Sequence, residues 1–294
     1  MGKPVFSQIN FSAVKFASMA LSTLLLFFVF LACDSSAQVN VIGGLTRRHN
    51  LSPGSELQGK ILVSNPGTES VMVKVYLTGY QVKSDGTTKY ASPEEAKRSN
   101  ASWVHLIPEE QLIAPRTTAT FHYVVRVPDE ENLTGTWWSM IMVHPQDPAQ
   151  YEAPQEGKDD QKIKVGIKAT SRTGIHLITN IGGGGKKMLK ITDSKLQLIK
   201  QHRVLTFTME NTGERQLRLD IWAELFDEEG ISIGRFNSER QGLLPGNSKK
   251  ASIDLTAVPA GKYEVLIVAD NGDDSVFGAR YNLDITETKE DAEQ

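Results

Sequence analysis

The chain has 294 residues, 39% of them hydrophobic and 23% charged, with a formal net charge of −3. That length and balance belong to a globular protein of about two domains and exclude a disordered chain. A slightly negative charge, with no dense basic block, excludes nucleic acid as the main partner, because phosphate binding needs a concentrated positive field.

At the N-terminus, Lys3 and Lys15 precede the apolar run MALSTLLLFFVFLA. Its length suits a signal-peptide core and falls short of the roughly 20 residues a membrane span needs. A leader over residues 1–37 is therefore expected. The small residues of SSA suit cleavage after Ala37, while FLAC, ending at Cys33, is a lipoprotein-like site; retention as an uncleaved anchor is the third outcome. All three export the protein, to the periplasm or cell envelope of a bacterium. Cys33 is the single cysteine and sits in this leader, so the rest of the chain has no thiol for a disulfide, for chemistry or for a metal.

Beyond the leader the chain reads as short strands between turns. KILVSNPGTESVMVKVYLTGYQV alternates apolar and polar residues on both sides of Asn65-Pro66-Gly67, the pattern of a hairpin. ATFHYVVRVP alternates again and stops at Pro128. TWWSMIMVHP is apolar on both faces, as a central strand is. Trp137 and Trp138 then point to opposite faces, one into a sandwich core and the other under a loop or a second domain. No amphipathic helix of three turns is found, and SPEEAKRSN suits one short turn.

A charged loop, QYEAPQEGKDDQ, runs into KIKVGIKATSRTGIHL, where Ile163, Val165 and Ile167 share one side of an extended chain. Such a row either lines the protein's own core or is held out for another polypeptide, and both readings stand. The GGGGKK run that follows lacks the spacing of a phosphate loop, since Met188 follows Lys187 and no helix is predicted after it. Gly182 to Gly185 read as a joint. The second half then repeats the first. ILVSNPGTESVMVKVYL lies on FTMENTGERQLRLDIWA with Asn65 on Asn211 and Gly67 on Gly213, and IAPRTTATFHYVVRVP on LLPGNSKKASIDLTAVP. The expected fold is all-β, two Ig-like β-sandwich domains in tandem after a signal peptide. The expected boundaries are 38–181 for the first domain, 182–185 for the linker, 186–287 for the second domain and 288–294 for an acidic tail.

Little in the chain points to chemistry. The six histidines, His49, His105, His122, His144, His176 and His202, form no metal-ligand pair at HxxxH or HExxH spacing. DNGDD, residues 270–274, lacks the twelve-residue calcium loop and reads as a hairpin turn. No GxSxG elbow or defensible Ser/His/Asp arrangement is present. The chain reads as a protein that is not an enzyme and uses no cofactor or metal.

The passage SNASWVHLIPEEQLIAPRTTATFHYVVRVPDEENLTGTWWSMIMV resembles the first domain of the periplasmic pilus-assembly (PapD-like) chaperones, and equally that of the WxL-interacting surface proteins. LPGNSKKASIDLTAVPAGKYEVLIVADNGDDSVFGARYNLDI resembles the last domain of chaperone-like proteins of bacterial envelopes. The chaperone resemblance implies strand addition: the row after the long loop, here Ile163, Val165 and Ile167, completes an unfinished sheet in a pilus or surface subunit. It also implies two basic residues in the cleft between domains that hold the subunit's terminal carboxylate. Arg172 is the candidate for one, and Arg47 or Arg48 for the other. The implied partner is a protein with an exposed sheet edge; a membrane enters only if Cys33 is lipidated. The WxL resemblance implies an alternative, an envelope-attached scaffold or adhesion protein that binds peptidoglycan or a surface protein.

Overall fold

The computed structural model describes residues 39–93, 95–146 and 171–286, and these form eighteen strands and one short 3-10 turn at Ala101–Trp103. In the first half the strands are β1 (Asn40–Ile42), β2 (Thr46–Leu51), β3 (Glu56–Ser64), β4 (Val71–Val82) and β5 (Thr88–Ala91). They continue with β6 (Val104–Ile107), β7 (Glu110–Ile113), β8 (Thr118–Arg126), β9 (Gly135–Pro145) and β10 (Thr173–Ile181). The second half has β11 (Leu189–Ile199), β12 (His202–Asn211), β13 (Leu217–Phe226) and β14 (Ser232–Asn237). It closes with β15 (Gln241–Leu243), β16 (Ser248–Asp254), β17 (Gly261–Asp270) and β18 (Val276–Ile285).

The strands build two sandwiches in tandem. In the first, a sheet in the order β1-β3-β8-β6 faces a sheet in the order β2-β10-β9-β4-β5, with β7 also paired to β4. Alternate residues point inward: Ile61, Val63, Phe121 and Val125 from one sheet meet Val73, Val75, Ile141, Ile175 and Leu177 from the other. In the second sandwich β11-β12-β16 faces β14-β13-β17-β18, and β15 joins β13. Leu205, Phe207 and Ile253 there meet Leu219, Ile221, Val265 and Ile267. Each such side chain contributes about 1.5–3 kcal/mol when fully buried, which lets these cores form without a disulfide.

One expectation is corrected. The runs on either side of Asn65-Pro66-Gly67 do not form a hairpin: β3 pairs with β1 and β8, whereas β4 pairs with β9, β5 and β7. The turn is a corner that carries the chain from one sheet to the other. Asn65 determines this, because its buried side-chain amide donates to the carbonyls of Glu69 at 2.7 Å and Ile113 at 3.0 Å. It thereby ties the corner to the end of β7 instead of to a facing strand. Asn211 does the same in the second half, donating to Arg215 O at 2.7 Å and Leu243 O at 3.0 Å. There β12 and β13 again lie in opposite sheets. DNGDD does close a hairpin, between β17 and β18.

Trp137 and Trp138 divide as their adjacency on a central strand requires. Trp137 packs against the first core, while Trp138 is buried on the outer face of the same sheet with Tyr80, Met140, Met142 and Ile178. Leu244, from the second half, seats on that outer cluster. Polar contacts frame this apolar one. Thr136 N donates to Glu214 O at 2.8 Å, and Gln216 N donates to Thr136 Oγ1 at 2.8 Å. On the other flank Gln81 Nε2 donates to Gly246 O at 2.7 Å and Ser84 N to Ser248 Oγ at 2.9 Å. The four glycines at 182–185 permit many angles between the halves; these contacts choose one.

Candidate functional site in the cleft between the halves

β2 runs parallel to β10 in a register that sets Arg48 opposite Ile178 and Asn50 opposite Asn180. Because side chains alternate, Arg48 and Asn50 share the outer face of the sheet with Ile178 and the Leu244 contact. The second half closes over this face with Gln216 and Arg218 from the start of β13 and with Asn271 and Asp273 from the β17–β18 turn. The result is a cleft of roughly 300 Å³ with walls from both halves.

Four cations line it, and two are already engaged. Arg215 donates from Nε to Gly184 O at 2.6 Å and from Nη2 to Ile181 O at 3.1 Å and to Gly182 O. Lys187 pairs with Asp273, whose carboxyl is pushed down to about 2, first by that lysine and then by the Ser275 N–H and the Asn271 amide. Arg48 and Arg218 remain. Arg48 Nε donates to Gln216 Oε1 at 3.3 Å, and among the described residues neither guanidinium has a carboxylate partner. Burial first, and then the charge of Arg218, hold the Arg48 pKa below its ordinary value. Two cations facing one another across a cleft, with Asn50, Asn180 and Gln216 beside them, make a receptor for a small anion; a carboxylate is matched by guanidinium geometry.

The residues singled out from the sequence fall in different places. Arg48 lines the cleft. Arg47, one residue earlier, points to the opposite face and donates to Gly44 O. Arg172 lies six positions before Ile178 on the chain leading into β10, about 20 Å along an extended strand. There it donates to the Tyr76 hydroxyl at 3.5 Å and is not brought together with Arg48. Ile163, Val165, Ile167 and Cys33 lie outside the described residues. Sequence reasoning missed Arg218. The signal was the repeat itself, which placed Arg218 directly after Leu217 at the start of the strand matching β4, but nothing in one dimension turned that strand end toward Arg48.

No protein-family model matches the chain, and no curated protein matches it. Solved structures do. A chain from a chaperone–tip adhesin complex of CFA/I fimbriae biogenesis shares 9% identity over 84% of this chain and 98% of its own, with a TM-score of 0.47. The E. coli chaperone DraB shares 13% identity over 85% of this chain and 97% of its own, at a TM-score of 0.41. A chain from the Salmonella enterica SafA pilin–SafB chaperone complex shares 13% over 84% and 97%, at 0.40.

Proposed function

We propose that this protein is an exported, non-enzymatic binding protein with a chaperone-like role toward pilus or surface subunits. Both edges of β10 are taken by β2 and β9, so the protein holds an extended segment of its partner by strand addition along the chain that precedes β10, and seats the segment's terminal carboxylate between Arg48 and Arg218. The observation that carries this reading is the pair of guanidiniums that, among the described residues, have no carboxylate partner, in a cleft built by both halves. Unpaired cations in so polar a pocket are stabilised by an anion brought from outside. The row Ile163, Val165 and Ile167 runs in sequence straight into β10, and in this reading it supplies the apolar side chains of the added strand.

Calorimetric titration with a synthetic sixteen-residue peptide of alternating apolar residues, long enough at about 3.3 Å per residue to run from Arg48 back to Ile163, as free acid and as amide, tests the reading. The free acid is expected to bind about tenfold or more tightly than the amide, a difference of roughly 1.4 kcal/mol. Arg48→Ala and Arg218→Ala each erase that difference, and Val165→Asp with Ile167→Asp weakens both peptides while the melting curve stays near that of the wild type. Equal binding of acid and amide by the wild type removes the cleft from the mechanism. An unfolded Val165→Asp/Ile167→Asp variant assigns the row to the protein's own core.

A further inference from the structure

His176 lies on the same outer face of β10 as Ile178, two residues from the position opposite Arg48. Its ring sits edge-on to Tyr80 with centroids 5.0 Å apart, and Nδ1 lies 2.5 Å from the Tyr80 hydroxyl. Burial pushes the Tyr80 pKa well above its ordinary value, so the hydroxyl keeps its proton. Toward a neutral imidazole with its proton on Nε2 that hydroxyl donates to Nδ1, and toward a ring protonated at Nδ1 it accepts. The groups that face it are Tyr80 from β4, Arg48 from β2 and Lys249 from β16 of the second half, and its partner in register on β9, Met140, carries no charge. Burial first, and then the charges of Arg48 and Lys249, hold its pKa below the ordinary value.

We propose that His176 makes anion capture in the cleft proton-linked. This rests on the reading that Arg48 and Arg218 hold a carboxylate. In the empty cleft an imidazolium would be a third cation wedged between Arg48 and Lys249 at the joint, and it stays neutral. A carboxylate seated on Arg48 cancels the one of those two charges that bears more strongly on His176. His176 then takes up a proton, its Nδ1–H donates to the Tyr80 oxygen, and the added charge strengthens the hold on the anion. By reciprocity, whatever the anion does to proton affinity the proton does to anion affinity. Lower pH favours the loaded state and rising pH favours release. The linkage acts near and below the ordinary histidine value of about 6.5, well above the range in which a chain-terminal carboxylate titrates, about 3.3–3.7.

The test uses the full chain and the free-acid and amide peptides described above, titrated at pH 5.0, 6.0 and 7.5, with the His176 ring followed by NMR in the presence and absence of peptide. If the midpoint of His176 moves up by one unit on binding, free-acid affinity rises as much as about tenfold between the high and low ends. His176→Gln, which keeps an oxygen for the Tyr80 hydroxyl, is expected to bind with an affinity flat in pH. A His176 midpoint unmoved by peptide overturns the inference, and so does a pH dependence that survives His176→Gln; in both cases an Arg48-dependent preference for the free acid leaves the carboxylate reading standing. If the wild type prefers the free acid at no pH, the carboxylate reading falls and takes the proton linkage with it.

Discussion

The corners at Asn65 and Asn211 are built alike and used differently. Each asparagine is buried, donates from its amide to backbone carbonyls (three at Asn65, two at Asn211) and accepts from the N–H of the glycine two residues on, at 3.0 Å in both corners. Even the backbone bonds correspond: Asn65 N donates to Thr117 O and Asn211 N to Asn247 O. The residues that follow do not correspond. Pro66, Thr68, Glu69 and Ser70 are exposed, whereas Glu214, Arg215 and Gln216 are half-buried against the first half. An inward hydrogen-bonded frame fixes the corner, so the outward side chains are free to change, and in the second copy they became the lock of the joint.

The comparison breaks most visibly at the asparagines themselves. Asn65→Ala and Asn211→Ala are each expected to lose about 2–4 kcal/mol by urea denaturation, since each leaves buried carbonyls without a donor. A loss near zero at either position would mean the frame does not set the corner. Next come the glycines. A methyl group on Gly213 would lie 2.5 Å from Lys186 O and 2.7 Å from Met188 N, both backbone atoms. On Gly67 its nearest neighbour is Asn65 Oδ1 at 3.1 Å. Gly213→Ala is expected to cost about 2–3 kcal/mol and Gly67→Ala less than about 1 kcal/mol in thermal melts, because only the first forces main chain to move.

Arg215→Ala sharpens the difference in use. It removes the donor to two linker carbonyls and to that of Ile181 at the end of β10, with a loss of about 1–3 kcal/mol and a larger radius of gyration in small-angle scattering as the halves part. Ser70→Ala, on the solvent-facing copy, stays within about 0.5 kcal/mol. A scattering curve unchanged by Arg215→Ala would assign the angle to Leu244 and to the hydrogen bonds of Thr136, Gln81 and Ser84 across the joint. The smallest effect is on pH. His49, His144 and His176, all in the first half, have pKa values held down chiefly by burial. The unfolded chain takes up those protons first, so their contribution is present above about pH 6.5 and is lost as pH falls below it. Asp254 and Asp273 in the second half are held below the ordinary carboxylate value and keep their contribution until pH drops below about 4. Histidine-linked weakening between pH 6.5 and 5 should therefore appear in amide exchange of β9 and β10 before β12 and β13.

Much of this architecture was legible because a strand reports itself by alternation. Ile61 and Val63, Phe121, Tyr123 and Val125, and the doubly apolar Trp137–Val143 stretch all fell where period two put them. The repeat was legible for the same reason, with Asn65 and Asn211 as its clearest mark. What the pattern did not disclose was pairing. Two alternating runs around Asn-Pro-Gly look the same whether they bond to each other or part into facing sheets, and a single buried side-chain amide decides it. The cleft was half legible: Arg48 was among the candidates, but Arg47 could be separated from it only by knowing which face of β2 meets the second half. Arg218 became visible once the joint had a geometry.

The first strand segment has a mechanical consequence. Near Gly43 the chain leaves the sheet of β1, crosses over and enters the opposite sheet as β2, where six residue pairs bind it parallel to β10. The chain enters the first sandwich through these strands and leaves it through β10. A pull between the two ends drags β2 and β10 in opposite directions along their common axis. All six pairs are then loaded together in shear, with none positioned to unzip ahead of the others. A tether upstream of residue 39 and a load on the second half would meet at this seam, where the module resists stretching most stiffly.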